Sequence, residues 1–213
     1  MKTTIKPTLF IATVALLTSL LCACNVNING DSNGKRVEGT GDLIEKTIQL
    51  DKFTAMNIEG QAEIKVTYGT TQSVKVRAQE NILELLDFTV NNEKLTVGTK
   101  SNYSIKNSKG IFIEIVTPNA ITSYDISGAG EVTVSGKPQQ DLNIQIAGAA
   151  DFNTNDLEVD NVTIDIAGAA DCKVKAVKTL NVSIAGTGSV AYKGNPTVSK
   201  SIAGIGSVKK VEE

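Results

Sequence analysis

The sequence predicts an all-β protein, built as a right-handed, single-stranded parallel β-helix with a β-rich hairpin cap at its N-terminal end. A motif that contains glycine recurs along the C-terminal half at intervals of 18 to 20 residues. The segments before the middle motifs alternate apolar and polar residues, which is the period of a strand with one buried face. An internal repeat of this length is typical of stacked architectures, and helical repeats need longer periods.

The first 23 residues are predicted to be a lipoprotein signal peptide. Lys2 and Lys6 precede a mainly apolar run from Leu9 to Leu21, which is the plan of a secretory signal and is short for a transmembrane helix. The run ends in the letters LCAC, which resemble a bacterial lipobox. This resemblance implies cleavage before Cys24, with lipid on its sulfur and its amine. An ordinary secreted protein in which Cys24 is incidental is the alternative.

Residues 24–42 are predicted to be a flexible tether, because the letters after Cys24 are mostly Asn, Gly, Ser and charged residues with little to bury. The folded domain is predicted over residues 43–213. Within it, residues 43–110 are expected to form an irregular N-terminal half, and residues 111–213 to form regular repeats with glycine corners.

The irregular half is predicted to pack over one end of the repeats, where it would cover an exposed strand edge. Its letters FTVNNEKLTVG, residues 88–98, indicate a hairpin that turns at Asn91 and Asn92. The letters ENILELL, residues 80–86, indicate a short helical turn. The letters FTAMNIEGQAEIKVTYG, residues 53–69, resemble one strand–corner–strand unit centred on Gly60.

The regular repeats are predicted to stack two apolar ladders inside the domain, with layers about 4.8 Å apart. One ladder consists of Ile126, Ile146, Ile166, Ile184 and Ile202, and the other of Val132, Phe152, Cys172, Val190 and Val208. The corners are predicted to bend at glycines with a positive backbone φ. These corner glycines are Gly60, Gly128, Gly148, Gly168, Gly186 and Gly204.

Composition excludes several classes of function. The chain has no histidine, which excludes triads that contain histidine, histidine general bases and metal sites with imidazole ligands. No cofactor is predicted. Cleavage removes two of the 21 basic residues and leaves 19 against 23 acidic ones, so no nucleic-acid partner is expected. Cys172 is the one cysteine of the predicted domain, and its ladder position indicates a buried core residue.

Several stretches together resemble a known family. They are the Gly60 unit, the corner letters SGAG, AGAAD and AGTGS, and the closing letters YKGNPTVSKSIAGIGSVKK, residues 192–210. These features resemble the bacterial envelope domain described as a putative autotransporter adhesin, head GIN type. The resemblance covers about residues 45–212. It implies a β-helical surface module with an adhesive role, and it brings no catalytic motif.

Three acidic residues follow the corners of consecutive repeats, and they are Glu131, Asp151 and Asp171. A weak cation column is one interpretation, since calcium accepts several oxygen ligands; a solvated acidic ridge is the other and is favoured. Calcium-dependent polysaccharide lyases of β-helical fold use such carboxylates with an arginine or lysine base. The two arginines, Arg36 and Arg77, are predicted in the tether and the N-terminal half instead.

The sequence therefore predicts a non-enzymatic, lipid-anchored protein of the bacterial cell envelope, with the outer membrane as its expected location. Its expected partners are the membrane, through the lipid on Cys24, and a glycan or an envelope or host protein. An adhesin-like or ligand-binding role is the first interpretation. A passive scaffold of an envelope complex is the second, and a calcium-dependent polysaccharide lyase is the third.

Overall fold

A computed structural model describes residues 34–212, and this part of the chain is all-β, as predicted. Fifteen strands form one large mixed sheet and two others form a separate parallel pair. No helix in residues 34–212 is long and apolar enough to cross a membrane. In chain order the elements are β1 (Lys35–Glu38), β2 (Leu43–Ile48), β3 (Ala55–Ile58), β4 (Gln61–Tyr68), β5 (Ser73–Gln79), α1 (Glu80–Leu83), β6 (Leu86–Asn91), β7 (Lys94–Thr99), β8 (Tyr103–Lys106), β9 (Phe112–Thr117), β10 (Ser123–Ile126), β11 (Ala129–Ser135), β12 (Gln139–Ile146), β13 (Ala149–Ile166), β14 (Ala169–Ile184), β15 (Thr187–Lys193), β16 (Thr197–Ile202) and β17 (Ile205–Lys210).

Successive repeats pair with each other as parallel strands, an arrangement that we call the stack. On one side of the corners the order is β3, β10, β12, the second halves of β13 and β14, and β16. On the other side it is β4, β11, the first halves of β13 and β14, β15 and β17. Each interval of 18 to 20 residues in the sequence thus adds one layer.

Both predicted ladders lie in register inside the stack. Ile146 lies opposite Ile126 in one layer and opposite Ile166 in the next, and the second ladder pairs in the same way. Up to the penultimate layer, every member of the two ladders is at most 3% exposed. Because one layer cannot bury its apolar face alone, contact between neighbouring layers supplies the stability of the domain.

The stack begins earlier in the chain than the sequence indicates. The two strands that flank Gly60, β3 and β4, pair with β10 and β11, which lie 68 residues later in the chain (Ala55 opposite Ser123). The expected start of the regular repeats at residue 111 is therefore wrong. The strand that follows residue 111, β9, lies on the other side of β4 and is antiparallel to β5.

The N-terminal half extends the sheet beyond the Gly60 layer, as the sequence predicts. On one side the order continues through β9, β5 and β2, and on the other through β7 and β6. The hairpin of β6 and β7 turns at Asn92 and Glu93, which both have a positive φ, as a two-residue hairpin turn requires. The turn lies one residue later than predicted. We call this part of the molecule the cap.

The last part of the predicted tether contains a strand. Within residues 24–42, β1 pairs in parallel with β8, and Lys106 forms an ion pair with Glu38 at 3.5 Å. Val37 packs against the hydrophobic core. Residues 35–38 are therefore part of the folded domain, whereas the predicted signal peptide and Cys24 lie outside the described residues.

The last layer carries lysines at positions that face the core in earlier layers. Lys200 lies opposite Val182, and Lys210 lies opposite Tyr192. Ile202, which ends its ladder, is 37% exposed. Charged residues at inward positions discourage further strand pairing, so this layer has the character of a capping repeat.

Candidate functional site

An open groove runs along the stack beside the glycine corners, and we call it the corner groove. It has two stretches, with volumes of about 680 Å³ and about 500 Å³. Asp151 and Ala169 line both stretches, so the groove continues from layer to layer. Small side chains occupy the first position of the strand after the four middle corners, which leaves room for a ligand, whereas Gln61 and Ile205 hold this position in the first and last layers. The four small side chains are Ala129, Ala149, Ala169 and Thr187.

The corner glycines are required by close contact between layers. A Cβ atom on Gly148 would lie 1.9 Å from the carbonyl oxygen of Gly128, an oxygen that accepts a hydrogen bond from Ala149 N–H at 3.0 Å. The other layers repeat this overlap at Gly128, Gly168, Gly186 and Gly204. Gly60 has the predicted positive φ, 101°. The same expectation is wrong for Gly128, Gly148 and Gly168, which are absent from the positive-φ region.

Four carboxylates lie in register along the corner groove, and we call them the acidic ladder. Glu131, Asp151 and Asp171 occupy equivalent positions of successive layers, and Glu63 lies opposite Glu131. The sequence reasoning missed Glu63 because the 68-residue interval hides its layer. The signal was nevertheless present, since Glu63 follows Gly60 by three residues, as Glu131 follows Gly128.

The acidic ladder does not converge on one point. All four carboxylates are exposed, and Asp171 accepts a hydrogen bond from the Ser189 hydroxyl. Within residues 34–212, no three acidic, cysteine or histidine side chains are grouped so that they could hold a metal ion. This geometry favours a row of solvated carboxylates over the cation column.

The two arginines lie away from the acidic ladder, whereas Lys65 and Lys173 each follow one of its members by two residues on the outward side of a strand. The Arg77 guanidinium lies 4.5 Å from the centre of the Phe112 ring. Arg36 lies on β1, and Lys175 pairs with Glu158 at 3.3 Å. No arginine or lysine is among the residues that line the two described stretches of the groove.

Cys172 is a core residue, as predicted. Its side chain is 1% exposed and lies between Phe152 and Val190. Burial raises the pKa of the Cys172 thiol to about 12, and the carboxylates of Asp171 and Asp151 add to the increase. The thiol is therefore protonated at neutral pH, whereas a nucleophilic cysteine needs an accessible thiolate.

A separate cavity lies in the cap, and we call it the cap cleft. Its volume is about 550 Å³, and Lys46, Lys100 and Tyr103 lie along it. The Lys100 ammonium donates a hydrogen bond to the Glu84 carbonyl oxygen at 2.7 Å. The apolar lining residues are Ile48, Leu83, Leu85, Leu86 and Phe88. The cleft thus combines apolar walls with two lysines and one acidic residue, Glu84.

The repeats and the groove fall within a known family. The sequence profile of the family described as "Putative auto-transporter adhesin, head GIN domain" matches residues 52–141 and 122–196. The chain belongs to this family. The matched residues of the head GIN domain include the Gly60 layer and the whole acidic ladder.

Solved structures share the fold of this head GIN domain. A putative adhesin from Bacteroides fragilis NCTC 9343 is 21% identical, with a TM-score of 0.56 over 82% of this chain and 100% of its own. A putative lipid binding protein from Parabacteroides distasonis ATCC 8503 is 19% identical, with a TM-score of 0.54 over 84% of this chain and 100% of its own. At these identities the likeness concerns the fold alone. No curated protein matches the chain.

Proposed function

We propose that the chain is a non-enzymatic, adhesin-like binding module of the bacterial cell envelope, held at the outer membrane by lipid on Cys24. In this proposal residues 1–23 are the signal peptide, and the segment from Cys24 to β1 joins the lipid to the domain. The stack is wound as a right-handed parallel β-helix. The parallel pairing of layers at intervals of 18 to 20 residues supports the helical winding.

The corner groove is the observation that carries the proposed binding function. Its volume is in the range of ligand sites, and from β11 to β15 it presents a small side chain and a polar or acidic one again at each layer. An elongated ligand, such as a glycan chain or an extended peptide, would meet the same contacts at each step. A catalytic site that depends on histidine cannot form, because the chain has no histidine. A cysteine nucleophile is not accessible in the domain either, because the Cys172 thiol is buried.

A binding screen tests the proposal. The mature protein with Cys24→Ala, which removes the lipid site, is screened against glycans and envelope proteins. Ala149→Arg with Ala169→Arg fills the groove, and both positions are exposed, so the fold should tolerate the change. We expect the affinity for the ligand to fall by at least about tenfold, because the new side chains occupy its space.

The matched control is Gln145→Arg with Ser183→Arg, which adds the same charge at exposed positions of the other side of the stack. It should leave the affinity within about twofold. Equal losses in both pairs, or no ligand in the screen, would contradict a binding role for the groove. If the screen yields a single envelope protein, and the variant with Ala149→Arg and Ala169→Arg binds it as tightly as the unmodified protein does, the scaffold function is indicated instead.

Lipid binding is a second candidate function, and the cap cleft is the observation that favours it. Its apolar walls could hold an acyl chain, while Lys46 and Lys100 would face an anionic head group. Displacement of a fluorescent fatty acid measures the affinity. Lys46→Gln with Lys100→Gln should weaken binding, whereas the groove pair should not. Equal binding by the unmodified protein and the cleft pair would exclude the cleft as the site.

A further inference from the structure

Acidic and basic residues are segregated along the stack, and the net charge of −2 conceals this. Residues 111–171 hold ten acidic residues and one lysine, whereas residues 172–212 hold seven lysines and one acidic residue. The middle layers are therefore strongly acidic and the last layers strongly basic. The expectation that no nucleic acid binds rested on the net charge, which averages over the two regions.

Five of the seven lysines lie on the last layers of the stack, and together we call them the basic patch. Lys173 and Lys209 share one outward ladder, with Ala191 between them, and Lys193 lies two residues beyond Ala191. Layers are about 4.8 Å apart and residues along a strand about 3.3 Å apart, so the backbones of these three lysines lie about 8 to 10 Å apart. The other two members, Lys200 and Lys210, occupy inward positions of the last layer and are exposed at the end of the stack.

The charges of the basic patch are not neutralised within the described part of the chain. The remaining two lysines of the segment, Lys175 and Lys178, form ion pairs at 3.3 and 2.7 Å. No ion pair in residues 34–212 involves a member of the patch. The Lys210 ammonium donates to the Asn195 side-chain oxygen at 2.5 Å, which leaves its charge intact. Like charges at this spacing repel, and an anionic ligand would relieve the repulsion.

We propose that the basic patch binds an acidic polysaccharide, a polymer with repeated carboxylate or sulfate groups. The inference rests on the proposed binding function and names a ligand class for it. An exposed ammonium group contributes little to binding by itself. A polymer that engages several lysines at once gains affinity from the linkage between its groups, so spaced lysines suit a polymer better than a single small anion.

The patch is poorly suited to a nucleic acid. The phosphates of one DNA strand are about 3.4 Å apart along the helix axis, a much denser charge than lysines about 8 to 10 Å apart would match. The aromatic residue of this region, Tyr192, lies opposite Val174 in an inward ladder, so it offers no outward face for base stacking.

The basic patch also lies at the end of the stack opposite the cap. The described chain enters the cap at β1, which begins 11 residues after Cys24 (from 24 to 35). A segment of that length spans at most about 40 Å. Within the domain, the basic patch thus lies at the end away from the strand at which the chain enters.

The test uses the mature protein with Cys24→Ala and two immobilised acidic polysaccharides, heparin for sulfate and polygalacturonate for carboxylate. Lys193→Gln with Lys209→Gln removes two charges of the patch. Lys65→Gln with Lys137→Gln is the matched control, since both residues are exposed lysines outside the patch. We expect at least one polymer to bind, with an affinity that decreases as salt increases. The patch pair should weaken it by about tenfold and the control pair by less than about twofold.

Three results would overturn the inference: no binding of either polymer at low salt, equal losses in the two pairs, or equal retention on neutral dextran. Duplex DNA that binds more tightly than both polymers, with the same dependence on the patch, would also overturn the polysaccharide assignment. The inference and the proposed function fail separately. If a ligand loses affinity for the groove variant while the patch variant binds both polysaccharides as well as the unmodified protein does, the inference fails and the proposed function stands.

Discussion

At the scale of single residues, Ile166 tests the inward ladder. Its side chain is 2% exposed and lies between Ile146 and Ile184. Ile166→Ala removes buried apolar atoms and leaves a cavity, so we expect the free energy of unfolding to fall by about 2 to 5 kcal/mol. Ser183→Ala, at an exposed outward position, should change it by less than about 0.5 kcal/mol. Urea denaturation measures both values, and equal losses would contradict the register.

Gly148 tests a contact between backbones instead of side chains. A Cβ atom there would lie 1.9 Å from the Gly128 carbonyl oxygen, and the layers cannot separate without stretching the hydrogen bond from Ala149. We expect Gly148→Ala to lower the free energy of unfolding by about 1 to 3 kcal/mol, as overpacking does. Gly98→Ala is the control, because its Cβ would have no atom closer than 3.4 Å. A thermal melt in which the control loses as much would show that the overlap does not determine the cost.

At the scale of the strand, the acidic ladder tests whether aligned carboxylates need a cation. Two charges about 4.8 Å apart repel by only about 1 kcal/mol in water. We therefore expect Asp151→Asn with Asp171→Asn to leave the free energy of unfolding unchanged or to raise it by up to about 1 kcal/mol. Millimolar calcium should not raise the melting temperature of the unmodified protein, because no three carboxylates converge in the described residues.

The calcium experiment distinguishes the two interpretations of the ladder. A calcium-dependent increase in the melting temperature that the double variant loses would restore the cation column of Glu131, Asp151 and Asp171. An increase that the double variant keeps would place any cation elsewhere. Both measurements need a chelator-treated sample as the reference, because trace calcium would otherwise saturate a tight site.

The regular layers could be predicted from the sequence because each one repeats a local pattern. Alternation gives the buried face of a strand, and the spacing of the glycines gives the length of a layer. The place of Gly60 could not be found this way, because residues 69–122 separate its strands from the layer that they contact. Neither could the role of Gly148, which depends on the distance to another layer and not on its own backbone angle.

At the scale of the whole molecule, charge and connectivity give the domain two different ends. Residues 34–110, which include the cap except for β9, hold 11 basic and 10 acidic residues, and the chain enters the fold there through β1. The other end carries the basic patch and inward lysines. Stacked architectures bind along their extended faces, so the proposed attachment through Cys24 would leave the groove and the patch accessible at the same time.

The anchor itself is tested by Cys24→Ala. Two acyl chains give stable membrane attachment, whereas a single chain gives only marginal binding, so a lipidated protein should sediment with membranes and resist a carbonate wash. Cys24→Ala removes the sulfur that would carry the lipid, and we expect the variant in the soluble fraction. Cys172→Ala is the matched control, because this thiol is 1% exposed inside the stack and cannot accept a lipid without unfolding. It should remain with the membranes. Carbonate-resistant sedimentation of Cys24→Ala would refute anchoring through this residue, whatever the domain binds.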